Sequence, residues 1–169
     1  MIVNPEADLY WSQLENSDLI LLSIYIIVSL LPFVNAIREN TSIALAMILS
    51  LLLVMFVRYS FTILELNFNE IEFFSLYPYL ADDPSQIYRF VTSAWIHADW
   101  LHVLSNILVI GLVGVPLEQK LGSKRWLIIY ILGFIGGSLA WVASHPNSYN
   151  PAIGASGAAF GILGAYMAC

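Results

Sequence analysis

Charged residues are scarce in this 169-residue sequence, at 11%, whereas hydrophobic residues make up 59%. Soluble domains carry about 25% charged and about 45–50% apolar residues, so this composition excludes an ordinary water-soluble domain. A single cysteine is present, Cys169, which excludes a disulfide within the chain and offers no thiol cluster for a structural metal. The formal net charge is −6, so nucleic acid is not an expected partner.

The sequence contains long apolar runs. Five of them follow one another, at 19–37, 41–64, 101–116, 126–143 and 153–169. Each approaches the roughly 20 residues that cross a bilayer core. The first is not a secretory signal, because the residues before it are acidic where a signal peptide needs a positive flank. We therefore predict an all-α, polytopic protein embedded in the lipid bilayer, with about five spans.

The connections between the runs differ sharply in charge. Residues 65–95 are rich in acidic and aromatic residues, and a connection of this length predicts short helices in the headgroup region. Three of the six basic residues lie in the turn 118–125, and Arg38 lies in another turn. The positive-inside rule puts both turns in the cytoplasm. We therefore expect the N-terminus, the 65–95 loop and the 144–152 loop to face outside.

Polar residues at membrane depth are functional candidates, because burying them in lipid is costly. One cluster opens the third run and contains His97, His102 and Asn106. His102 and Asn106 are four residues apart, on one helical face, where they could donate hydrogen bonds together, with His97 in support. The alternative is a set of interfacial residues with satisfied hydrogen bonds. No carboxylate or thiol stands at ligand spacing in the run, so we expect no metal and no cofactor.

A second cluster, Gly-Ala-Ser-Gly at 154–157, opens the last run. Glycines around Ser156 let the backbone turn tightly, and a helix N-terminus offers free N–H groups to an oxyanion. This geometry is suggestive of Ser156 as a nucleophile. Small residues at Gly157, Gly161 and Gly164 are also the ordinary signature of close helix packing in lipid, and on these residues alone the motif more often indicates packing than catalysis.

Taken together, these motifs resemble the rhomboid family of intramembrane serine proteases, over residues 41–169. The matching elements, in family order, are Tyr88-Arg89, then His97 with His102 and Asn106, then the Glu118–Gly122 turn, and finally Gly154–Gly157. The resemblance implies a rhomboid-like helical bundle. Residues 41–169 would supply its first four core helices, and residues 1–40 would be an interfacial segment followed by an extra transmembrane helix.

The resemblance also implies a reaction. Ser156 would attack a peptide carbonyl of a transmembrane protein substrate, and His102, Asn106 and the Ser156 N–H would stabilise the oxyanion. The positions given supporting roles are Gly154, Gly157, His97, Phe160, Arg89 and Glu118. Phe160 stands where the family often has a tyrosine stacked on the catalytic histidine. We expect a multi-pass protein of the plasma membrane of a prokaryote, with its active site outside.

The main departure from the family is the general base, a histidine on the sixth core span, because the sequence stops at Cys169. Serine without a base is a weak nucleophile, so we expect the chain as written to be inactive. His145, in a loop next to Pro146, is a poor substitute because such a histidine lacks an orienting partner. Two other functions stay open, a pseudoprotease that binds transmembrane clients and a structural or transport subunit.

Overall fold

A computed structural model of the protein describes residues 15–66, 68–146 and 148–169. Its α-helices are α1 (Asn16–Glu39), α2 (Ile43–Ile63), α3 (Glu70–Phe74), α4 (Arg89–Thr92), α5 (Trp100–Leu121), α6 (Ser123–Ser144) and α7 (Ser156–Met167). Single 3-10 turns occur at Pro78–Leu80 and Pro84–Gln86, and α5 contains a π-helical segment at Ile110–Gly114. The interfacial segment predicted before α1 lies outside the described residues.

The helical membrane architecture is confirmed. Within the described residues, four helices, α1, α2, α5 and α6, are long and apolar enough to cross a bilayer, with 24, 21, 22 and 22 residues. The fifth predicted span differs, since α7 has only 12 residues and begins at Ser156 rather than at Ile153. The helix cannot start earlier because Gly154 has a φ of +92°, which lies outside the right-handed helical region.

The turn from α1 to α2 ends one helix and caps the next. Asn40 adopts the left-handed conformation, with a φ of 50°, at the C-terminus of α1. Ser42 then accepts a hydrogen bond from the Leu45 N–H, 3.1 Å away, as an N-cap of α2. The boundary predicted between 1–40 and 41–169 falls in this turn, and the division into two units stays a prediction.

Glu118 ties the two basic turns together. Its carboxylate accepts hydrogen bonds from the Ile43 N–H at 2.8 Å, from the Ala44 N–H at 3.0 Å and from the Ser42 hydroxyl. A carboxylate at a helix N-terminus satisfies free N–H groups and interacts favourably with the helix dipole. Because Glu118 lies near the end of α5, the α1–α2 and α5–α6 turns lie at the same end of the bundle.

Glycines bring α6 and α7 into backbone contact. A Cβ atom on Gly137 would lie 2.9 Å from the Gly157 Cα, and one on Gly161 would lie 2.8 Å from the Gly133 Cα. No larger side chain fits at these crossings, which is the small-residue packing that lipid-embedded helices use. The stripe predicted at Gly157 and Gly161 therefore packs α7 on α6 and so fixes the position of Ser156.

The loop between α2 and α5 folds into short helices, as predicted, around one buried arginine. Arg89 is 0% exposed. Its guanidinium donates to the Glu72 carbonyl at 2.6 Å, the Ser75 carbonyl at 2.8 Å and the Gln86 side chain at 2.6 Å. These bonds join α3, α4 and the second 3-10 turn into one unit.

The same loop is attached to the segment that precedes Ser156. Leu76 and Ala152 form an isolated antiparallel bridge, with N–H to carbonyl distances of 3.1 and 2.8 Å. Further along, the Gly154 N–H donates to the Ser93 carbonyl at 2.9 Å. The loop therefore holds the approach to α7 at two points, and the candidate site forms between them.

Candidate active site

Gly154 makes the turn into α7, and only glycine fits there. Its φ of +92° is a conformation that other residues rarely adopt. A Cβ atom at this position would also lie 2.6 Å from Nε2 and 2.7 Å from Cε1 of His102. The backbone of the turn and the imidazole of His102 are therefore in direct contact.

Ser156 is the first residue of α7 and faces a cavity of about 360 Å³. The cavity wall combines α6, the turn before α7 and the start of α5. Of the residues predicted for the site, those that line it are His102, Gly154, Ser156, Gly157 and Phe160. A hydroxyl at a helix N-terminus, in a cavity that an imidazole also lines, is an arrangement suited to acyl transfer.

His102 is held by the helix start that it belongs to. Asp99 is the N-cap of α5, and its carboxylate accepts a hydrogen bond from the backbone N–H of His102 at 2.8 Å. The His102 ring meets the His97 ring edge to face, with 4.9 Å between centroids. The cap fixes the backbone at the start of α5, and the imidazole lies between the His97 ring and the turn at Gly154.

His97 lies behind the cavity wall and links the segment at Trp95 to the turn before Ser156. It is 2% exposed, its Nδ1 lies 3.2 Å from the Trp95 carbonyl, and its Nε2 accepts the Ala155 N–H at 3.3 Å. These partners assign the proton to Nδ1. Burial lowers the pKa of His97 from 6.5 to about 4, so the ring is neutral at pH 7. His97 thus supports the residue before Ser156 and does not line the cavity.

Arg58, near the C-terminal end of α2, is a residue supporting the site that sequence reasoning missed. Its guanidinium donates to the Ala98 carbonyl at 3.1 Å and to the His97 carbonyl, and its Nε lies 2.6 Å from Oε1 of Glu70. The only signal in the sequence was one basic residue near the end of the second apolar run, shortly before the acidic 65–95 loop. Arg58 fixes the backbone that leads from His97 into α5.

Asn106 lies one turn after His102 on α5 and is buried. Its Nδ2 donates to the His102 carbonyl at 3.2 Å, so the amide bonds to its own helix and does not line the cavity. A role at an oxyanion requires its side chain to rotate toward Ser156. Catalytic hydrogen bonds often form only in the substrate complex.

Of the other residues predicted to support the site, two line the cavity and two lie elsewhere in the fold. Phe160, one turn after Ser156, lines the cavity with its ring 72% exposed. Gly157 also lines it, and its backbone contacts α6. Arg89 organises the 65–95 loop, and Glu118 lies at the end of the bundle opposite to Ser156. Both residues stabilise the fold and neither lines the cavity.

Two polar groups in the cavity wall have unused hydrogen-bonding capacity. The Ser93 hydroxyl and the Trp141 indole N–H are buried and have no hydrogen-bond partner among the described residues. Buried polar atoms are normally paired, so such a pair marks a polar wall in an otherwise apolar cavity. Sequence reasoning missed both residues, because neither belongs to a motif.

His145 lies beside the cavity but not in its wall. Its ring stacks on Trp141, with 4.0 Å between centroids and 21° between planes. Its Nδ1 lies 2.9 Å from the Ser144 hydroxyl. His145 is therefore occupied at the end of α6, and the structure does not bring it to Ser156.

Comparison with known proteins identifies the family. The family model described as the Rhomboid domain matches residues 84–169, which is half of the chain and includes every residue that lines the cavity. The chain belongs to the rhomboid family. Its predicted resemblance is thereby confirmed.

Several curated rhomboid proteins are similar to this chain. RHOMBOID-like protein 1 of Arabidopsis thaliana is 40% identical over 82 residues, which cover 48% of this chain and 21% of that protein. Rhomboid-like protease 3 of Toxoplasma gondii is 36% identical over 83 residues, covering 49% and 31%. Putative rhomboid protease YdcA of Bacillus subtilis (strain 168) is 36% identical over 80 residues, covering 47% and 40%.

The alignments thus span well under two thirds of each of these relatives. No solved structure gives a significant match to the chain.

Proposed function

We propose that this rhomboid chain carries the nucleophile of an intramembrane serine endopeptidase that cuts transmembrane or membrane-proximal peptide bonds. One observation carries the proposal. Ser156 begins a helix at the edge of a cavity that it shares with His102, and the turn that presents it, at Gly154, is in contact with the His102 ring. Two of the similar proteins are named rhomboid proteases, which supports the same reaction class.

In the proposed reaction, the Ser156 hydroxyl oxygen attacks the carbonyl carbon of a peptide bond that lies in the cavity. Negative charge then develops on the carbonyl oxygen. The Ser156 N–H is one of the free N–H groups at the start of α7, and the His102 ring lies beside it as a second donor. Asn106 is the third proposed donor, once its amide turns from the His102 carbonyl. Loss of one such donor raises the barrier by about 3–4 kcal/mol.

The proposed reaction also needs a general base that removes the serine proton. The three histidines of this sequence do not supply one. His97 is neutral and bonded at both ring nitrogens, His102 is on the oxyanion side, and His145 is stacked away from the cavity. We assign the base to none of these three histidines, and we therefore expect these 169 residues alone to be inactive.

We further propose that the end of the bundle that carries Ser156 faces outside, in the plasma membrane of a prokaryote. The turns that hold Arg38 and the basic residues of 118–125 lie together at the opposite end, which suits the cytoplasmic side. A cavity open near the outer headgroups would receive a peptide bond at the end of a transmembrane segment.

The test is cleavage of a transmembrane reporter by the product of the complete reading frame, reconstituted in vesicles. Ser156→Ala should reduce cleavage to the uncatalysed rate. Ser138→Ala is the matched control, because Ser138 is another serine in the wall of the same cavity. Equal rates for Ser156→Ala and wild type would refute the nucleophile assignment. Binding of the reporter without cleavage by wild type would instead indicate a pseudoprotease.

A further inference from the structure

Helix α1 lies outside the matched rhomboid domain, yet it packs against the loop that carries the site. Tyr25 of α1 is buried, with its ring 5.5 to 5.8 Å from the rings of Phe61, Phe68 and Phe74. Apolar contact of this kind stabilises without selecting one position for the partner. The polar contacts of α1 are more specific.

Ser50, in the middle of α2, bonds to the two elements on either side of it. It is 0% exposed. Its hydroxyl donates to the Ser29 carbonyl of α1 at 2.7 Å and accepts the indole N–H of Trp95 at 2.8 Å. Hydrogen bonds inside a membrane protein have no water to replace them, so a lost partner leaves a buried polar group unsatisfied.

The chain of hydrogen bonds continues from Trp95 to the residue before Ser156. The Trp95 carbonyl bonds to Nδ1 of His97 at 3.2 Å, and Nε2 of His97 accepts the Ala155 N–H at 3.3 Å. Each hydrogen bond in the series donates toward α1, from Ala155 through His97, Trp95 and Ser50 to Ser29. The series requires the histidine tautomer with its proton on Nδ1. The backbone of α1 is thus joined to the turn of the nucleophile through three side chains.

The Trp95 side chain is packed on part of its surface only. It contacts buried apolar residues of the core, but a cavity of about 70 Å³, lined mainly by apolar side chains, adjoins Tyr25, Ser29, Trp95 and Ile96. Apolar contact is non-directional. The bond to Ser50 therefore adds a directional constraint on the indole.

We propose that α1 is a positioning element of the rhomboid site, and that Ser50 is the positioning residue through which it acts on Trp95, His97 and Ala155. The inference rests on the proposed function only in taking Ser156 as the nucleophile that α1 helps to position. The coupling itself is a property of the folded chain and can be measured without catalysis.

The experiment uses the full 169-residue chain in lipid nanodiscs and measures amide hydrogen exchange at Ala155, with the indole N–H resonance of Trp95 as a local reporter. Ser50→Ala should shift the Trp95 resonance and accelerate exchange of the Ala155 amide by roughly threefold to tenfold, as the loss of one hydrogen bond predicts. Trp95→Phe should accelerate it similarly. The double variant should add little to either single one, because both remove the same bond.

The matched control is Ser60→Ala, on the same helix, where the hydroxyl bonds only within α2 to the Phe56 carbonyl at 2.9 Å. It should leave exchange at Ala155 unchanged. A shifted Trp95 resonance with unchanged exchange at Ala155 would overturn the proposal, as would equal acceleration by Ser60→Ala. Neither result bears on Ser156 as nucleophile, and an inactive Ser156 would leave the coupling intact.

Discussion

Replacing Gly154 by alanine tests the geometry of the site most directly. Two independent penalties apply to this substitution. Alanine at a φ of +92° is strained, which costs about 1–3 kcal/mol. Its Cβ would also lie 2.6 Å from Nε2 of His102, and crowding of this kind in a packed site costs about 1–3 kcal/mol.

The two penalties differ in how they can relax. The His102 ring can rotate away from a new methyl group, which relieves the crowding at the expense of its place in the cavity wall. The backbone strain cannot relax in this way, because the Gly154 N–H is bonded to the Ser93 carbonyl at 2.9 Å. We therefore expect a loss of about 2–4 kcal/mol in the free energy of unfolding, together with a displaced His102.

The assay is reversible unfolding in mixed micelles, with the imidazole resonances followed in parallel. Gly164→Ala is the matched control, because no atom lies within 4 Å of a Cβ built at that position. That control should be neutral or gain up to about 1 kcal/mol in helix stability. If Gly154→Ala unfolded like wild type with an unmoved His102 signal, the close approach of turn and imidazole would be refuted.

Three further predictions concern charge and orientation. Glu118→Gln should lower the free energy of unfolding by about 1.5–3 kcal/mol, because hydrogen bonds to a charged acceptor are lost, whereas exposed Glu39→Gln should not, in the same micelle assay. The pKa of His97 is depressed to about 4 in the fold, so the unfolded chain binds the proton first as pH falls. Stability should therefore decline from about pH 6.5 to about 4, a slope that His97→Gln should flatten in unfolding measured against pH. Cys169 is exposed and is the only cysteine, so an impermeant maleimide should label it in spheroplasts only after permeabilisation, and labelling of intact spheroplasts would reverse the proposed orientation.

The spans could be predicted because hydropathy is a local property. A run such as 41–64 is apolar over most of its length, with Arg58 as its single charged residue, and becomes α2 at Ile43–Ile63, within two residues of the prediction. The last run was the exception, since Ile153 and Gly154 are apolar or small enough for a helix and nevertheless form a turn. Contact with His102 and Ser93 decides that turn, and those residues are distant in sequence.

The site was predictable in its motifs and not in its hydrogen bonds. Spacing placed His102 and Asn106 on one face of α5, yet it could not show that the Asn106 amide bonds to the His102 carbonyl. Arg58 and Ser50 gave no motif at all. Each has at least one partner that is 40 or 45 residues away in the sequence, and hydrogen-bond geometry at that separation depends on how the helices pack.

The sequence by itself determined that this protein is a helical membrane protein with a serine between glycines and two histidines five residues apart, because composition and spacing are properties of the chain. Only the tertiary structure decided that the serine and one of those histidines line the same cavity, and that an N-terminal helix outside the matched domain is linked by hydrogen bonds to the turn before the serine. Backbone contacts between α6 and α7, and the buried hydroxyl of Ser50, create those meetings. Such contacts exist only once the helices are packed.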